Sequence, residues 1–406
     1  MRIIYIHQYF LTPEEGGAIR SYHLAKGMVD AGIAVDIITS HNKGYYDLKI
    51  IDGIHVHYLP VTYHQEWGFF KRVKSFLRFV MLAKSWVAKL PRPDYLYITS
   101  TPLTTGLIGL WTKRKFAIPY IFEIRDLWPD APIQVGVIGN PLVKQLLYNL
   151  EKRIYKHAIK CIALSPGIAN TVRSRTETPV YIVPNFSDTG FFYPQDKSPR
   201  ILQKYGLEDR FTVIYTGALG QVNAVGELLE IAKCSQENRK DYQFVILGKG
   251  SQLAKLLDTS EKLQLENVRF VAFGNKERVA DLLSISDMAF ISFDHLPVLK
   301  TNSPNKFFDA LAAGKAILVN HKGWVHTLTK KYELGIYHDP NDPGQTIRNF
   351  DLLTGKSQIL NRYQQNARKM AEQHFSKEIA IKRVLTIIDA KKFGGEITDE
   401  VYILTA

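Results

Sequence analysis

Short apolar runs alternate with helical stretches along most of the chain, and this alternation limits the possible folds more than any other feature of the sequence. The first series of strand-like runs covers residues 3–6, 35–39, 96–99, 120–123, 161–164 and 180–183. The second covers residues 211–216, 244–247, 268–272, 288–291 and 316–319. Continuous apolar runs separated by helices indicate parallel sheets that are covered on both faces. The sequence therefore predicts an α/β protein with two doubly wound, Rossmann-like domains.

Residues 184–199 separate the two series, are rich in turn-forming residues and lack periodicity, which is typical of a linker. We place the first domain at residues 1–185 and the second at residues 186–374. Two domains are also what a length of 406 residues favours. In two such domains facing a cleft, ligands bind beyond the carboxyl ends of the strands.

The chain is basic, with 52 Lys and Arg against 39 Asp and Glu and a formal charge of +13. This balance predicts attraction to nucleic acid, anionic lipid or phosphorylated substrates. Because no recognised nucleic-acid-reading motif is present, nucleic acid is the least favoured of the three. The two cysteines, Cys161 and Cys234, cannot form a disulfide framework and lack metal-site spacing. With neither a signal-peptide core nor a membrane-spanning run in the sequence, we expect a cytoplasmic protein, either soluble or peripheral on the membrane.

The basic residues are most concentrated between Trp67 and Leu90, where apolar residues recur at helical spacing. The cations of this stretch are Lys71, Arg72, Lys74, Arg78, Lys84 and Lys89. An amphipathic helix of this kind is typical of an element lying in the interface of an anionic bilayer. A buried helix with a solvated basic face explains the pattern equally well.

Residues 301–319 indicate a loop, a helix, a stop and a buried strand in succession. Ser303 suits an N-cap, Pro304 the first helical position and Gly314 the turn after the helix. Lys306 and Asp309 are three apart and project from one face. A cation and a carboxylate at the positive end of a helix suit a ligand with phosphates on one side and a hydroxyl-bearing sugar on the other. A capped surface helix with an incidental ion pair is the alternative.

Glycine-containing loops follow three predicted strands, at Gly16-Gly17, at Gly217 and Gly220, and at Gly248 and Gly250. Glycines in such places let backbone amides approach a phosphate, although they also serve turn geometry. The sequence contains neither G-x-G-x-x-G nor a P-loop.

Several of these segments together resemble a known family. Three segments resemble retaining glycosyltransferases of family 4, which have the two-domain GT-B fold. They are the loop from Gly16 to Arg20, the segment Pro184-Asn185 after the last strand of the first series, and Lys306-x-x-Asp309 with the following Leu-Ala-x-Gly-Lys. Asp126-Leu127-Trp128-Pro129 and the residues 303–306 resemble the fucosamine-transferase-like enzymes of bacterial surface-polysaccharide assembly.

The resemblance implies roles for individual residues. Asp309 would bind the ribose hydroxyls of a nucleotide, and Lys306 would meet its diphosphate. Gly17 and the Gly217 loop would approach the phosphates from opposite walls of the cleft. The remaining donor-binding candidates are Ser303, Asn305 and Lys249. A C-terminal helix at about residues 375–390 would cross back onto the first domain.

The chain also departs from the family pattern. Thr301 stands where the family has the first glutamate of its acidic pair, which normally holds donor-sugar hydroxyls. Ala218 and Asn223 stand in place of a frequent Arg and Lys, which leaves Lys306, Lys249 and backbone amides to neutralise a diphosphate. Arg125 replaces a histidine that often touches the donor sugar, and Asp126 beside it is retained. A structural ion pair between Arg125 and Asp126 at a strand end is the alternative.

The expected activity is retaining transfer of a hexosyl or N-acetylhexosaminyl group from a nucleotide sugar, with UDP favoured, to a lipid-linked or oligosaccharide acceptor. We expect no cofactor and no metal, since no Asp-x-Asp motif lines the cleft, and assign no covalent nucleophile. Lys306, Arg125 and Asp126 are the catalytic candidates, Asp126 as the group that orients an acceptor or sugar hydroxyl. The alternatives are a UDP-sugar epimerase of the same fold and, more remotely, a basic nucleic-acid-binding protein.

Overall fold

The computed structural model describes residues 1–16, 19–64 and 66–395. In these residues, two sheets carry fourteen strands. The strands of the first sheet are β1 Arg2–Ile6, β2 Ala34–His41, β3 Asp47–Ile51, β4 Ile54–Pro60, β5 Tyr95–Thr99, β6 Tyr120–Ile124, β7 Lys160–Ala163 and β8 Val180–Ile182. Those of the second are β9 Phe211–Ala218, β10 Tyr242–Lys249, β11 Val268–Ala272, β12 Met288–Ile291, β13 Ala316–Val319 and β14 Gly335–Tyr337.

The helices alternate with the strands. They are α1 Arg20–Asp30, α2 Phe69–Lys89, α3 Gly106–Phe116, α4 Asp130–Gln134, α5 Pro141–His157, α6 Pro166–Arg173, α7 Pro199–Tyr205, α8 Gly226–Glu237, α9 Leu253–Lys262, α10 Lys276–Ser284, α11 Asn305–Ala312, α12 Trp324–Lys331, α13 Pro343–Gly355, α14 Ser357–His374, α15 Lys377–Ile388 and α16 Ala390–Phe393.

The two sheets are doubly wound, as the sequence predicts. The first has the order β3-β4-β2-β1-β5-β6-β7-β8, and the second has the order β11-β10-β9-β12-β13-β14. Every neighbouring pair is parallel except β3 with β4. Each predicted strand coincides with an observed one to within a few residues. The fold class is therefore confirmed as two Rossmann-like α/β domains.

Three strands were not predicted. β3 and β4 form an antiparallel hairpin whose turn is Asp52-Gly53, with φ of 48° and 81°. Positive φ at both central residues is the geometry for which the Asp-Gly pair is the strongest short signal. β14 is a three-residue strand at the edge of the second sheet, too short for a periodicity to appear.

The C-terminal helix α15 packs on the first domain. Its residues Ala380, Val384 and Ile387 are buried in the same core as Ile3 and Tyr5 of β1. α1 approaches α15 so closely at Gly27 that a Cβ there would lie 2.3 Å from Ile381 Cγ2. The helix is thus part of the first domain, although the second domain precedes it in sequence.

Loops that follow strands of the first sheet are joined by hydrogen bonds to the segment of the second domain that precedes α11. The backbone N–H of Val298 donates to Gln134 Oε1 at 2.9 Å, and Ser165 Oγ donates to the carbonyl of Thr301 at 2.5 Å. The N–H of Asn185 donates to Ser303 Oγ at 3.1 Å. These contacts join the loops after β6, β7 and β8 to the turn that precedes α11. Across the described residues, no helix is both long and apolar enough to cross a membrane.

Candidate active site

Lys306 lies in the first turn of α11, with its ammonium buried in the cleft. Its Nζ has no hydrogen-bond partner and lies 3.9 Å from the ring centroid of Tyr215 and 5.4 Å from that of Phe293. A Cβ on Gly217, which has φ of 131°, would lie 3.6 Å from Lys306 Cε. Burial lowers the pKa of Lys306 to about 7. The structure thus brings Lys306 and Gly217 together around a cation that the protein itself does not neutralise.

The start of α11 differs from the sequence prediction. The helix begins at Asn305, Pro304 is the residue before it, and no side chain caps it. Ser303 is not the N-cap, because its Oγ accepts from Asn185 and its carbonyl accepts from Asn185 Nδ2 at 2.6 Å. Without a capping side chain, the first N–H groups of α11 are open to a ligand.

The surface-helix alternative for this segment is wrong. Five of the eight residues of α11 are buried, namely Phe307, Phe308, Ala310, Leu311 and Ala312. The expected ion pair is also absent from the described ion pairs, since Asp309 accepts from Ser187 Oγ at 2.8 Å instead. Burial raises the pKa of Asp309 to about 6, although the charge of Lys276 opposes the shift. The Asp309 carboxyl group is therefore held by Ser187 of the linker between the domains.

The third glycine segment, with Gly248 and Gly250, has a packing role. A Cβ on Gly248 would lie 2.1 Å from the carbonyl oxygen of Gly217, and one on Gly250 would lie 2.4 Å from that of Leu219. These two glycines therefore serve the close approach of the neighbouring ends of β9 and β10. Lys249 between them is exposed, with Nζ 4.1 Å from the ring centroid of Phe273. Gly17, the glycine predicted on the opposite wall, lies outside the described residues.

Arg125 and Asp126 follow β6 on the first-domain side of the cleft. Arg125 Nη1 contacts His7 Nε2 at 2.9 Å, and its Nε lies 3.6 Å from Glu123 Oε1. The structural ion pair of Arg125 is thus made with Glu123, and the predicted alternative with Asp126 is wrong. Burial raises the pKa of the Asp126 carboxyl, with the charge of Arg125 opposing it. A carboxyl held in this way can exchange hydrogen bonds with a hydroxyl at the cleft.

Arg20, at the start of α1, is buried and paired within the protein. Its Nη2 lies 3.0 Å from Glu123 Oε2, and its Nη1 donates to the carbonyl of Pro184 at 2.6 Å. Tyr97 donates to the same Glu123 oxygen at 2.6 Å. Burial acts to raise the pKa of Glu123, but the Arg20 and Arg125 guanidiniums outweigh it and hold the pKa below its ordinary value. Sequence reasoning missed Glu123, although a carboxylate ending a buried strand is a detectable signal.

The positions that depart from the family pattern support the loops around the cleft. Thr301 donates from Oγ1 to the carbonyl of Val298 at 2.7 Å, and a Cβ on Gly167 would lie 2.8 Å from its methyl carbon. Asn223 accepts from the N–H of Gly220 at 3.2 Å. In the described part of the chain, no three His, Cys, Asp or Glu residues are grouped so as to hold a metal ion.

Solved structures with this fold include several glycosyltransferases. Sucrose-phosphate synthase of Thermosynechococcus elongatus is 16% identical, with a TM-score of 0.78 over 95% of this chain and 98% of that one. HepE of Anabaena in complex with UDP-glucose is 16% identical, with a TM-score of 0.70 over 96% and 100%. WaaG, a glycosyltransferase of lipopolysaccharide biosynthesis, is 14% identical, with a TM-score of 0.69 over 97% and 100%. At these identities the likeness shows the GT-B fold.

Curated relatives include a putative glycosyltransferase, YtcC of Bacillus subtilis, which is 23% identical over 194 residues. The aligned part spans less than half of either protein, 46% of this chain and 46% of YtcC.

Two family models match consecutive parts of the chain. The glycosyl transferase 4-like domain matches residues 15–185, which contain the first sheet, and the glycosyl transferases group 1 domain matches residues 197–370, which contain the second. The two matches meet at the linker and together span most of the sequence. With both matches and the GT-B architecture in place, the chain consists of a glycosyl transferase 4-like domain followed by a glycosyl transferases group 1 domain.

Proposed function

We propose that this protein transfers a sugar, with retention of configuration, from a UDP sugar to a lipid-linked or oligosaccharide acceptor in the assembly of a bacterial surface polysaccharide. The observation that carries the proposal is the ammonium of Lys306, which is buried at the open end of α11 without a hydrogen-bond partner. A buried cation without a partner is costly unless an anion occupies the site in the working state. The HepE complex with UDP-glucose supports UDP as the nucleotide.

The chemistry follows from the position of this cation. When the bond between the sugar and the diphosphate breaks, negative charge builds up on the β-phosphate and the sugar becomes oxocarbenium-like. Lys306 and the first N–H groups of α11 stabilise that charge without a metal, since they are fixed in advance in a site of low dielectric. Asp309 accepts hydrogen bonds from the ribose hydroxyls, and these replace the hydrogen bond that Ser187 donates to it in the free protein. These roles place the nucleotide along α11.

The acceptor hydroxyl attacks from the side of the leaving group, and its proton passes to the departing phosphate. No carboxylate acts as covalent nucleophile in this route. Asp126 and Arg125, on the first-domain side of the cleft, orient the reacting hydroxyls. The transferred group is a hexosyl or N-acetylhexosaminyl unit.

The acceptor end of the proposal rests on α2. The outer face of this helix exposes Phe70, Leu77 and Met81 beside the cations Lys71 and Arg78, while its inner face is buried. Apolar and basic side chains interleaved on one exposed face favour contact with an anionic bilayer, and the first domain would then reach lipid-linked acceptors at the cytoplasmic membrane face.

A thermal-shift panel of UDP, GDP, ADP and TDP, with EDTA throughout, tests the proposal. Ligand at about a hundredfold over its dissociation constant adds about 2.7 kcal/mol to the stability of the bound fold. We expect a selective shift with UDP, and the absence of a shift with any nucleotide would contradict the proposal. Product analysis with UDP sugars then separates transfer to a glycolipid from release of a free epimer.

The pH dependence of nucleotide binding should report the two buried groups. Lys306 loses its proton above about pH 7, so the affinity for UDP should fall by up to about tenfold per pH unit as the pH rises further. Asp309 gains a proton below about pH 6, which weakens its hydrogen bonds to the ribose. Affinity should therefore be greatest between about pH 6 and 7. Calorimetry at pH 8 in buffers of different ionisation enthalpy should show proton uptake on binding, and Lys306→Met should abolish the uptake.

Neutralising the basic residues at the start of α2 should weaken binding to anionic vesicles at low salt. The variant replaces four cations with glutamine, namely Lys71, Arg72, Lys74 and Arg78. Each cation near an anionic surface contributes about 1 kcal/mol, so the loss in flotation with phosphatidylglycerol vesicles should exceed a hundredfold.

The matched control removes four exposed lysines from the second domain, namely Lys255, Lys262, Lys330 and Lys331. It has the same net charge as the α2 variant but should bind vesicles as the unaltered protein does. Equal losses in the two variants would mean that general charge and not α2 attracts the protein to the vesicles.

A further inference from the structure

His7 and Gln8 follow β1 directly, at the carboxyl edge of the first sheet, and both are buried, with exposures of 3% and 0%. His7 Nδ1, Gln8 Oε1 and Gln8 Nε2 have no hydrogen-bond partner. Nearly all buried polar groups in folded proteins are paired, so three orphan atoms on two adjacent residues require an explanation. None of them has a role in the mechanism proposed above.

The contact with Arg125 fixes which nitrogen of His7 carries the proton. A guanidinium can only donate hydrogen bonds, so His7 Nε2 must accept from Arg125 Nη1 across their 2.9 Å contact. The ring is neutral, because burial and then the charge of Arg125 lower the pKa of His7 well below its ordinary value. In a neutral imidazole the proton must then lie on Nδ1. The orphan atom of His7 is therefore an N–H donor.

Gln8 has a firmly held backbone and an unpaired side chain. Its carbonyl accepts from Ser40 Oγ at 2.8 Å, from Thr39 Oγ1 at 3.1 Å and from the N–H of Ser40 at 3.2 Å. The amide side chain offers two donors and an acceptor that nothing in the described residues uses. Together with His7 it presents both donors and an acceptor without a net charge. Such a set suits hydroxyl groups, each of which donates and accepts, better than phosphate or carboxylate.

We propose that His7 and Gln8 form a subsite for the hydroxyl groups of a sugar ring in the cleft, with Arg125 holding His7 as the Nδ1–H donor. This inference rests on the proposed function and extends it to the first-domain wall. Arg125 is then a positioning residue for His7, and its Nε lies 3.6 Å from Glu123, a carboxylate that it shares with Arg20. The sugar ring belongs either to the donor or to the acceptor, and the two sources give different results in binding experiments.

The test compares two buried glutamines. Gln243 is also buried, but its side-chain amide is fully paired. Its Nε2 donates to the carbonyl of Glu208 at 2.7 Å and to Thr212 Oγ1 at 2.8 Å, and its Oε1 accepts from the N–H of Glu208 at 3.4 Å. Gln243→Met should lower the melting temperature and leave sugar binding unchanged. Gln8→Met should leave the melting temperature unchanged or raised, because the removed groups have no partner in the free protein. The same variant should weaken sugar binding about tenfold.

The probes are UDP, the UDP sugars of glucose, galactose and N-acetylglucosamine, and the octyl glycosides of the same three sugars. Binding is followed by calorimetry and by NMR of protein labelled with ¹⁵N-histidine. We expect the free protein to show His7 neutral with the proton on Nδ1, and Arg125→Met to redistribute the tautomers. At least one sugar probe should shift the Nδ1–H signal.

If Gln8→Met weakens the binding of a UDP sugar but not that of UDP, the sugar ring belongs to the donor. If it weakens the binding of an octyl glycoside, the sugar ring belongs to the acceptor. Both results support the subsite. It is overturned if no sugar probe moves the His7 signal, or if every probe binds the variant and the unaltered protein equally, as expected when a buried water occupies the orphan atoms. Weaker UDP binding by Lys306→Met, measured alongside, tests the proposed function separately.

Discussion

Replacing Lys306 with methionine should reduce glycosyl transfer by about a hundred- to a thousandfold, the loss typical of removing one preorganised group that stabilises transition-state charge. The loss should appear in kcat with UDP sugars as donors, because the ammonium meets a charge that grows as the phosphate departs. The fold should not suffer. Since Nζ has no hydrogen-bond partner, methionine keeps the stem packed on Tyr215 and removes a group that is costly to bury.

Lys315 provides the control at the opposite end of α11. It is also a buried lysine, but its Nζ donates to the carbonyl of Ser284 at 3.2 Å, away from the cleft. Lys315→Met should therefore leave kcat unchanged. Turnover of Lys306→Met at the rate of the unaltered protein would remove Lys306 from the catalytic assignment.

Replacing Arg20 with methionine should destabilise the first domain by about 3–5 kcal/mol, because it leaves the carboxylate of Glu123 buried without its main counter-charge. The carbonyls of Val183 and Pro184 would also lose their donor. A loss of this size is a large part of the stability of an ordinary domain. Urea unfolding followed by the fluorescence of the first-domain tryptophans would measure it.

An arginine whose carboxylate partners are exposed is the matched control for this variant. Arg210 pairs with Glu208 and with Asp241 at 2.7 Å, and both carboxylates are largely exposed. Arg210→Met should cost less than about 1 kcal/mol, since solvent screens such pairs. If the two variants lost the same stability, the Arg20–Glu123 pair would not be a main determinant of the first domain.

The positions of most strands were predictable because parallel strands buried on both faces give continuous apolar runs. β3 was not predicted because it has no continuous apolar run: three of its five residues are exposed, and it lies at the edge of the sheet. Its hairpin could have been found from Asp52-Gly53. The short edge strand β14 left no comparable signal.

The site was predictable where one helix carries it. Lys306 and Gly217 lie far apart in sequence. Gly217 lies at the end of β9 and Lys306 follows the neighbouring strand β12, so their meeting follows from the topology. The partners of side chains were not predictable in this way. Ser303 suits an N-cap by type, but Asn185 from the other domain takes its hydroxyl. The role of His7 emerges only when Arg125 is placed beside it across 118 positions of sequence.

The hydrogen bonds that cross the cleft have a mechanical consequence. Gln134 and Ser165 of the first domain both hold the short turn Pro297–Thr301, which leads directly into α11. A rotation of one domain relative to the other therefore pulls on the peptide segment that positions the donor-side lysine. Opening the cleft to admit an acceptor would loosen that segment, and closing it would restore the charge to its working position. On the proposed function, the two substrates would thus influence each other through these few hydrogen bonds, without touching.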